Sequence, residues 1–190
     1  MTTRFFGLIV VSAAACIAAT GASAAVTVLG NGAAHSCYQF AELGGNTIDG
    51  ISTCTFALDQ TTLSVKDRAA TFVNRGILRA RKNEPQGALS DYDHGIEMNP
   101  SLGEAYVDRG AVMIVLKRYD DALSDLDKGI TLGANRVEIA YYDRAIVDEA
   151  LGNIRAAYED YKKAAEIQPD FALANDQLSR FRVVRKPDGA

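Results

Sequence analysis

The chain has no tryptophan, two histidines, three cysteines and four prolines in 190 residues. So few histidines and cysteines leave little for nucleophilic or metal chemistry. His35, Cys37 and Cys54 offer three ligands without the paired spacing of a structural zinc site, and His94 could join them only by accident of folding. There is no run of Lys or Arg, and a net charge of −4 with a pI near 5.2 argues against a nucleic-acid partner. Walker loops, nucleophile elbows and His-Glu-x-x-His are missing as well. Gly30-Asn31-Gly32 follows a strand-like run, but His35 stands where a dinucleotide loop needs its third glycine. No catalytic, cofactor-binding or metal residue is predicted. Carboxylates are plentiful, so an enzyme or small-ligand site built from Asp, Glu and Tyr stays open as the alternative.

What is present begins with an export pattern. Arg4 precedes an apolar run that starts Phe5-Phe6-Gly7-Leu8-Ile9, and Ala22-Ser23-Ala24 has the small-x-small form read by signal peptidase. The expectation is a signal peptide over 1–24, cleaved between Ala24 and Ala25. Phe5 to Ala19 is 15 residues, against the roughly 20 a membrane-spanning helix needs. A periplasmic or secreted location follows, with no stable span after cleavage. Ala13-Ala14-Ala15-Cys16 suggests lipid anchoring through Cys16, but no branched aliphatic residue stands three places before that cysteine. Cys37 and Cys54 then remain, and an even count in an oxidising compartment reads as one disulfide.

Internal similarity carries the most information. Phe72-Val73-Asn74-Arg75-Gly76 recurs as Tyr106-Val107-Asp108-Arg109-Gly110 and Tyr141-Tyr142-Asp143-Arg144-Ala145, at intervals of 34 and 35 residues. Ala88-Leu89-Ser90-Asp91-Tyr92, Ala122-Leu123-Ser124-Asp125-Leu126 and Ala157-Tyr158-Glu159-Asp160-Tyr161 follow at a constant offset. Apolar or small residues three and four apart predict two amphipathic helices per unit. Gly76, Gly110 and Ala145 face Ala88, Ala122 and Ala157 across a close backbone approach. Ser64-x-x-Asp67 and Ser101-x-x-Glu104 read as capping boxes, and Asp170 as a cap for the last helix.

The period and these positions resemble the tetratricopeptide repeat over roughly residues 69–171. The resemblance implies an all-α, right-handed solenoid with repeats at 69–102, 103–136 and 138–171. An apolar stripe from Phe171 through Ala174, Leu178 and Phe181 to Val184 predicts a capping helix over 171–184, and 185–190 reads as a flexible tail. Residues 25–68 read as a degenerate repeat with helices over 31–43 and 47–59. Cys37 facing Cys54 there would close a loop of 17 residues and contribute about 3 kcal/mol. Arg75, Arg109 and Arg144 each precede an aspartate by 16 residues, Asp91, Asp125 and Asp160. A structural ion pair within each unit is expected, preferred over two solvated charges.

The resemblance also implies a concave groove lined by the first helices. Its expected lining is Val73, Ile77 and Ala80, then Val107, Ala111 and Ile114, then Tyr142, Ile146 and Glu149. Such a surface suits an apolar or amphipathic segment. Val73, Ile77, Asp108, Ile139 and Asp143 stand where family members that grip a C-terminal carboxylate carry Lys, Asn and Arg, so that clamp is missing. The predicted function is a non-catalytic protein–protein interaction module of the cell envelope. Its partner is another protein or peptide, a second copy of the chain or the N-terminal segment included.

Overall fold

The computed structural model describes residues 24–28 and 32–181. The predicted signal peptide (Ala24 apart), Cys16, the tail 185–190 and positions 182–184 of the predicted capping helix lie outside the described residues. Among the described residues there are nine helices and no strand. They are α1 (Ala33–Leu43), α2 (Thr47–Gln60), α3 (Val65–Arg81), α4 (Pro85–Met98), α5 (Gly103–Val115), α6 (Tyr119–Leu132), α7 (Val137–Ala150), α8 (Ile154–Ile167) and α9 (Ala172–Leu178).

Local chemistry explains where they start and turn. The Asn46 side chain accepts from the Ile48 and Asp49 amides at the head of α2, and Ser64 accepts from the Asp67 amide at the head of α3. Pro85 opens α4, where its missing N–H costs nothing. Each unit needs one left-handed residue between its two helices: Asn83 (φ 63°), Lys117 (φ 58°) and Gly152 (φ 82°) fill equivalent places. Lysine there carries a steric strain of about 1 kcal/mol that glycine avoids.

Two expected caps are not made. Leu102 occupies the N-cap of α5 without a side-chain bond, while the Ser101 hydroxyl donates to Asn99 Oδ1 and Glu104 accepts from the Asn135 amide instead. The turn after Pro100 places Ser101 one residue too early to cap. Phe171, not Asp170, takes the N-cap of α9, again with no side-chain bond.

Helices α1 with α2, α3 with α4, α5 with α6 and α7 with α8 pack as antiparallel pairs, and each pair stacks on the next. The first helices α3, α5 and α7 touch in sequence and form one layer; the second helices form the other. Small residues make the pairing possible. A Cβ on Gly76 would meet the Tyr92 ring at 2.6 Å, and one on Gly110 would meet Leu126 Cγ at 3.1 Å. The opposite contact recurs too: a Cβ on Gly95 would strike Val73 and one on Gly129 would strike Val107. One continuous core runs from Cys37 to Val147, flanked by a cluster around Val28, Ala34, Ala57 and Ala70 and another around Ala145, Ala157 and Tyr161.

That packing corrects the expected groove lining. Val73, Ile77, Val107 and Ile114 are buried, the first two with no accessible surface. Val73 and Val107 lie against Gly95 of α4 and Gly129 of α6, and all four belong to the continuous core. Ala80 and Ala111 are half-buried. In the last unit Tyr142 and Glu149 are partly covered from the C-terminal side: Tyr142 meets Phe171 edge-on, and Glu149 accepts from Tyr161 and Arg180. Ile146 packs beside Tyr142 against Tyr161.

Candidate functional site

On a helix, neighbouring residues point about 100° apart. When each repeated arginine turns towards its partner helix, the residue before it is carried onto the other face. Those residues are Asn74, Asp108 and Asp143, 34 and 35 apart on α3, α5 and α7. All three are buried.

Asn74 holds an extended piece of the chain's own N-terminal segment. Its Oδ1 accepts from the Val26 amide and its Nδ2 donates to the Val26 carbonyl, both at 2.8 Å. Both backbone groups of one residue are therefore satisfied by one side-chain amide, which reads extended backbone irrespective of sequence. Val28 sinks into the cluster with Ala34, Ala57 and Ala70, and Ala25 and Val26 pack against the main core. At the other end the Ala24 backbone hydrogen-bonds the Asp108 carboxylate. Residues 24–28 thus cross from α3 towards α5, with the N-terminal end leading.

The floor ahead of that end is acidic. Burial, then the charges of Asp143 and Glu104, push the Asp108 carboxyl well above the ordinary range; Arg81 and the Ala24 backbone pull it back. Burial pushes Asp143 up to about 7. Asp108 Oδ2 is buried and has no hydrogen-bond partner among the described residues. A buried oxygen in that state costs about 1–3 kcal/mol, so it marks a place where a donor is wanted.

The repeated Arg–Asp set lies elsewhere, between the layers. Arg75 Nε and Nη2 donate to Asp91 at 3.0 and 2.8 Å, Arg109 to Asp125 at 2.7 and 2.8 Å, and Arg144 to Asp160 at 2.7 and 2.9 Å. Each arginine has a third leg into the preceding pair of helices: Arg75 Nη1 to Thr55, Arg109 Nη1 to Asp93, Arg144 Nη1 to Asp127. Each also lies over the ring three residues earlier, Phe72, Tyr106 or Tyr141, at 5.3–5.6 Å. The hydrogen bonds to Asp125 and Asp160 hold the Arg109 and Arg144 guanidinium groups charged at any pH. These arginines join units together; they do not face the site.

The two cysteines meet at the other end of the molecule. Cys37 on α1 and Cys54 on α2 are bonded, with an S–S distance of 2.10 Å, and both are fully buried. The bond removes them from any zinc set with His35, whose ring lies 3.3 Å from the Val28 carbonyl.

Comparison with known proteins places this architecture. The crystal structure of MamA superposes with a TM-score of 0.63, over 79% of this chain and 82% of that one, at 19% identity. The first tetratricopeptide domain of Spaghetti (RPAP3), solved with the HSP90 peptide SRMEEVD, superposes at 0.57 over 60% and 90%, at 22% identity. This is the tetratricopeptide-repeat fold. The sequence is also similar to serine/threonine-protein phosphatase 5 of Rattus norvegicus, 33% identical over 85 residues. That stretch is 45% of this chain and 17% of the phosphatase, so the chain spans a small part of that relative's length. No family model matches the chain.

Within the tetratricopeptide stack, sequence reasoning placed Asp108 and Asp143 at groove positions through the missing clamp, but missed that Asn74 joins them in one buried polar row. The signal was there, since each residue directly precedes a repeated arginine. Periodic apolar residues drew the groove assignment instead, and of those Val73, Ile77, Val107 and Ile114 are buried in the core.

Proposed function

We propose that the chain is a non-catalytic interaction module of the bacterial cell envelope, which holds an extended peptide against Asn74, Asp108 and Asp143. The two-point grip of Asn74 on the Val26 backbone carries this reading. It is a mode of recognition that needs only an extended segment.

The partner differs in charge from those of the structural neighbours. SRMEEVD, bound by the RPAP3 domain, is acidic and ends in a carboxylate. Here Asp108, Asp143 and Glu104 crowd the floor and would repel such a terminus. A neutral or basic segment fits. Export is supported by the Ala22-Ser23-Ala24 motif and by the Cys37–Cys54 bond, which an oxidising compartment favours. Among the described residues no helix is long and apolar enough to cross a membrane. A small-molecule reading has less behind it: beside the cleft of about 500 Å³, Arg109 is already paired with Asp125, and Asp127 with Arg144.

The test is a photo-crosslinking residue at Ala111, half-buried on α5 beside the acidic row, in cells that export the protein. One recurrent envelope protein among the adducts supports the reading. Adducts confined to the chain itself would remove the partner from this face.

A further inference from the structure

Among the described residues no cation lies inside the acidic row. Among the described residues, none of the ion pairs involves Asp108 or Asp143. Asp108 is 5% exposed, Asp143 7%, and Asp108 Oδ2 is without a donor. Arg81 acts on Asp108 from a solvent-exposed position at the end of α3, and Glu104 adds a further negative charge. Two buried carboxyls that repel one another are relieved either by holding a proton or by a positive charge that reaches them, and only the second gives Asp108 Oδ2 the donor that it lacks.

The end of the extended segment points at this place. Asn74 fixes Val26, the main core receives Ala25, and the Ala24 backbone already bonds Asp108. The predicted processing site is the Ala24–Ala25 peptide bond. Its hydrolysis consumes one water, leaves a carboxylate on Ala24 and leaves an α-ammonium on Ala25. Ala24 departs, and the Asp108 carboxylate loses its backbone donor. The new ammonium then sits one residue away, about 3.5 Å along the chain, with three N–H donors.

We propose that the groove of this stack is the receptor for the chain's own processed N-terminus, the Ala25 α-ammonium docking between Asp108 and Asp143 while Asn74 clamps Val26. This rests on the export reading above. Processing converts a neutral backbone contact into a buried ion pair, so the mature protein is the form in which the row is neutralised. A partner segment entering the same face competes with residues 25–28. The site therefore has a built-in occupant that a stronger ligand must displace.

The reactivity of the α-amine tests this. The full chain is expressed in an exporting bacterium, the processed protein purified, and its N-terminus established by mass spectrometry. The native protein is then acylated with limiting acetic anhydride, and the extent at Ala25 is followed against surface lysines. Docking predicts acylation at Ala25 about tenfold slower than in the Asp108→Asn variant, since each unit of pKa shift changes the free-amine fraction tenfold. Asn74→Ala, which frees the segment without touching the acids, is expected to release the amine as well. Asn is close to Asp in shape, and a melting curve shows whether each variant is folded. Protection equal in wild type and both folded variants would overturn the proposal. Protection lost on dilution would do so too, because the ammonium would then come from a second copy. A mature chain beginning elsewhere than Ala25 would overturn it by removing the export reading's cleavage site, an outcome distinct from a free amine on Ala25.

Discussion

Asp143 shows how a single residue sets a pH response in this stack. Its carboxyl is pushed up to about 7 by burial, from an ordinary value of 3.8. Between those limits the folded chain keeps a proton that the unfolded chain has lost. Stability conferred by this group is thus complete below about pH 4 and is lost as pH rises towards 7, after which the contribution is flat. The slope is roughly 1 kcal/mol per pH unit at its steepest. Asp143→Asn cannot titrate, so in the unprocessed chain, where no ammonium reaches the row, its urea-unfolding free energy should decline less between pH 4.5 and 7.5 than that of the same chain with Asp143. Parallel profiles for the two proteins would show that Asp143 is ionised throughout. The same residue illustrates what was hard to see beforehand: a charged side chain on a helix is ordinarily solvated, and nothing in one repeat says that its neighbours will enclose it.

Helices and their pairings were the most legible level. The spacing of apolar residues marks each helix face, and the recurrence of Gly76, Gly110 and Ala145 opposite Ala88, Ala122 and Ala157 marks which faces meet. The 16-residue separation of Arg109 and Asp125 likewise anticipates a contact across one pair, because it spans a helix, a turn and the return. What it hides is the third leg, Arg109 Nη1 to Asp93 at 2.7 Å in the unit before. Asp93 and Asp127 repeat at 34 residues, yet sequence spacing alone gives no reason for an arginine to look backwards. The two contacts differ in weight. Asp125 is nearly buried and grips two nitrogens of Arg109, whereas the Asp93 side chain is 61% exposed and screened by water. Asp125→Asn should therefore cost about 2 kcal/mol, as for a charge-assisted bond. Asp93→Asn should cost at most about 1 kcal/mol, and less in molar salt. Chemical denaturation of both variants decides; equal losses would mean that the inter-unit leg carries as much as the pair within the unit.

A solenoid has no single core to fall back on at its ends, and each pair of helices leans only on its neighbours. The first pair leans least, since among the described helices α1 and α2 pack mainly against α3. Leu43, Ile48 and Phe56 on these two helices remain largely exposed. The Cys37–Cys54 bond compensates for that weak interface by limiting the unfolded forms of the segment between them. Replacing both cysteines by serine should remove about 3 kcal/mol. The loss should also be uneven, which amide exchange can resolve. Protection should collapse on α1 and α2 and persist on α5 to α8. The Val26 amide is the informative reporter, because Asn74 holds it while Val28 is packed among Ala34 and Ala57 of the first pair. If α1 and α2 melt and Val26 exchanges with them, the segment across the acidic row depends on the disulfide-bonded end for its seat. If Val26 stays protected, the grip of Asn74 suffices, and the occupied site is a property of the repeats themselves.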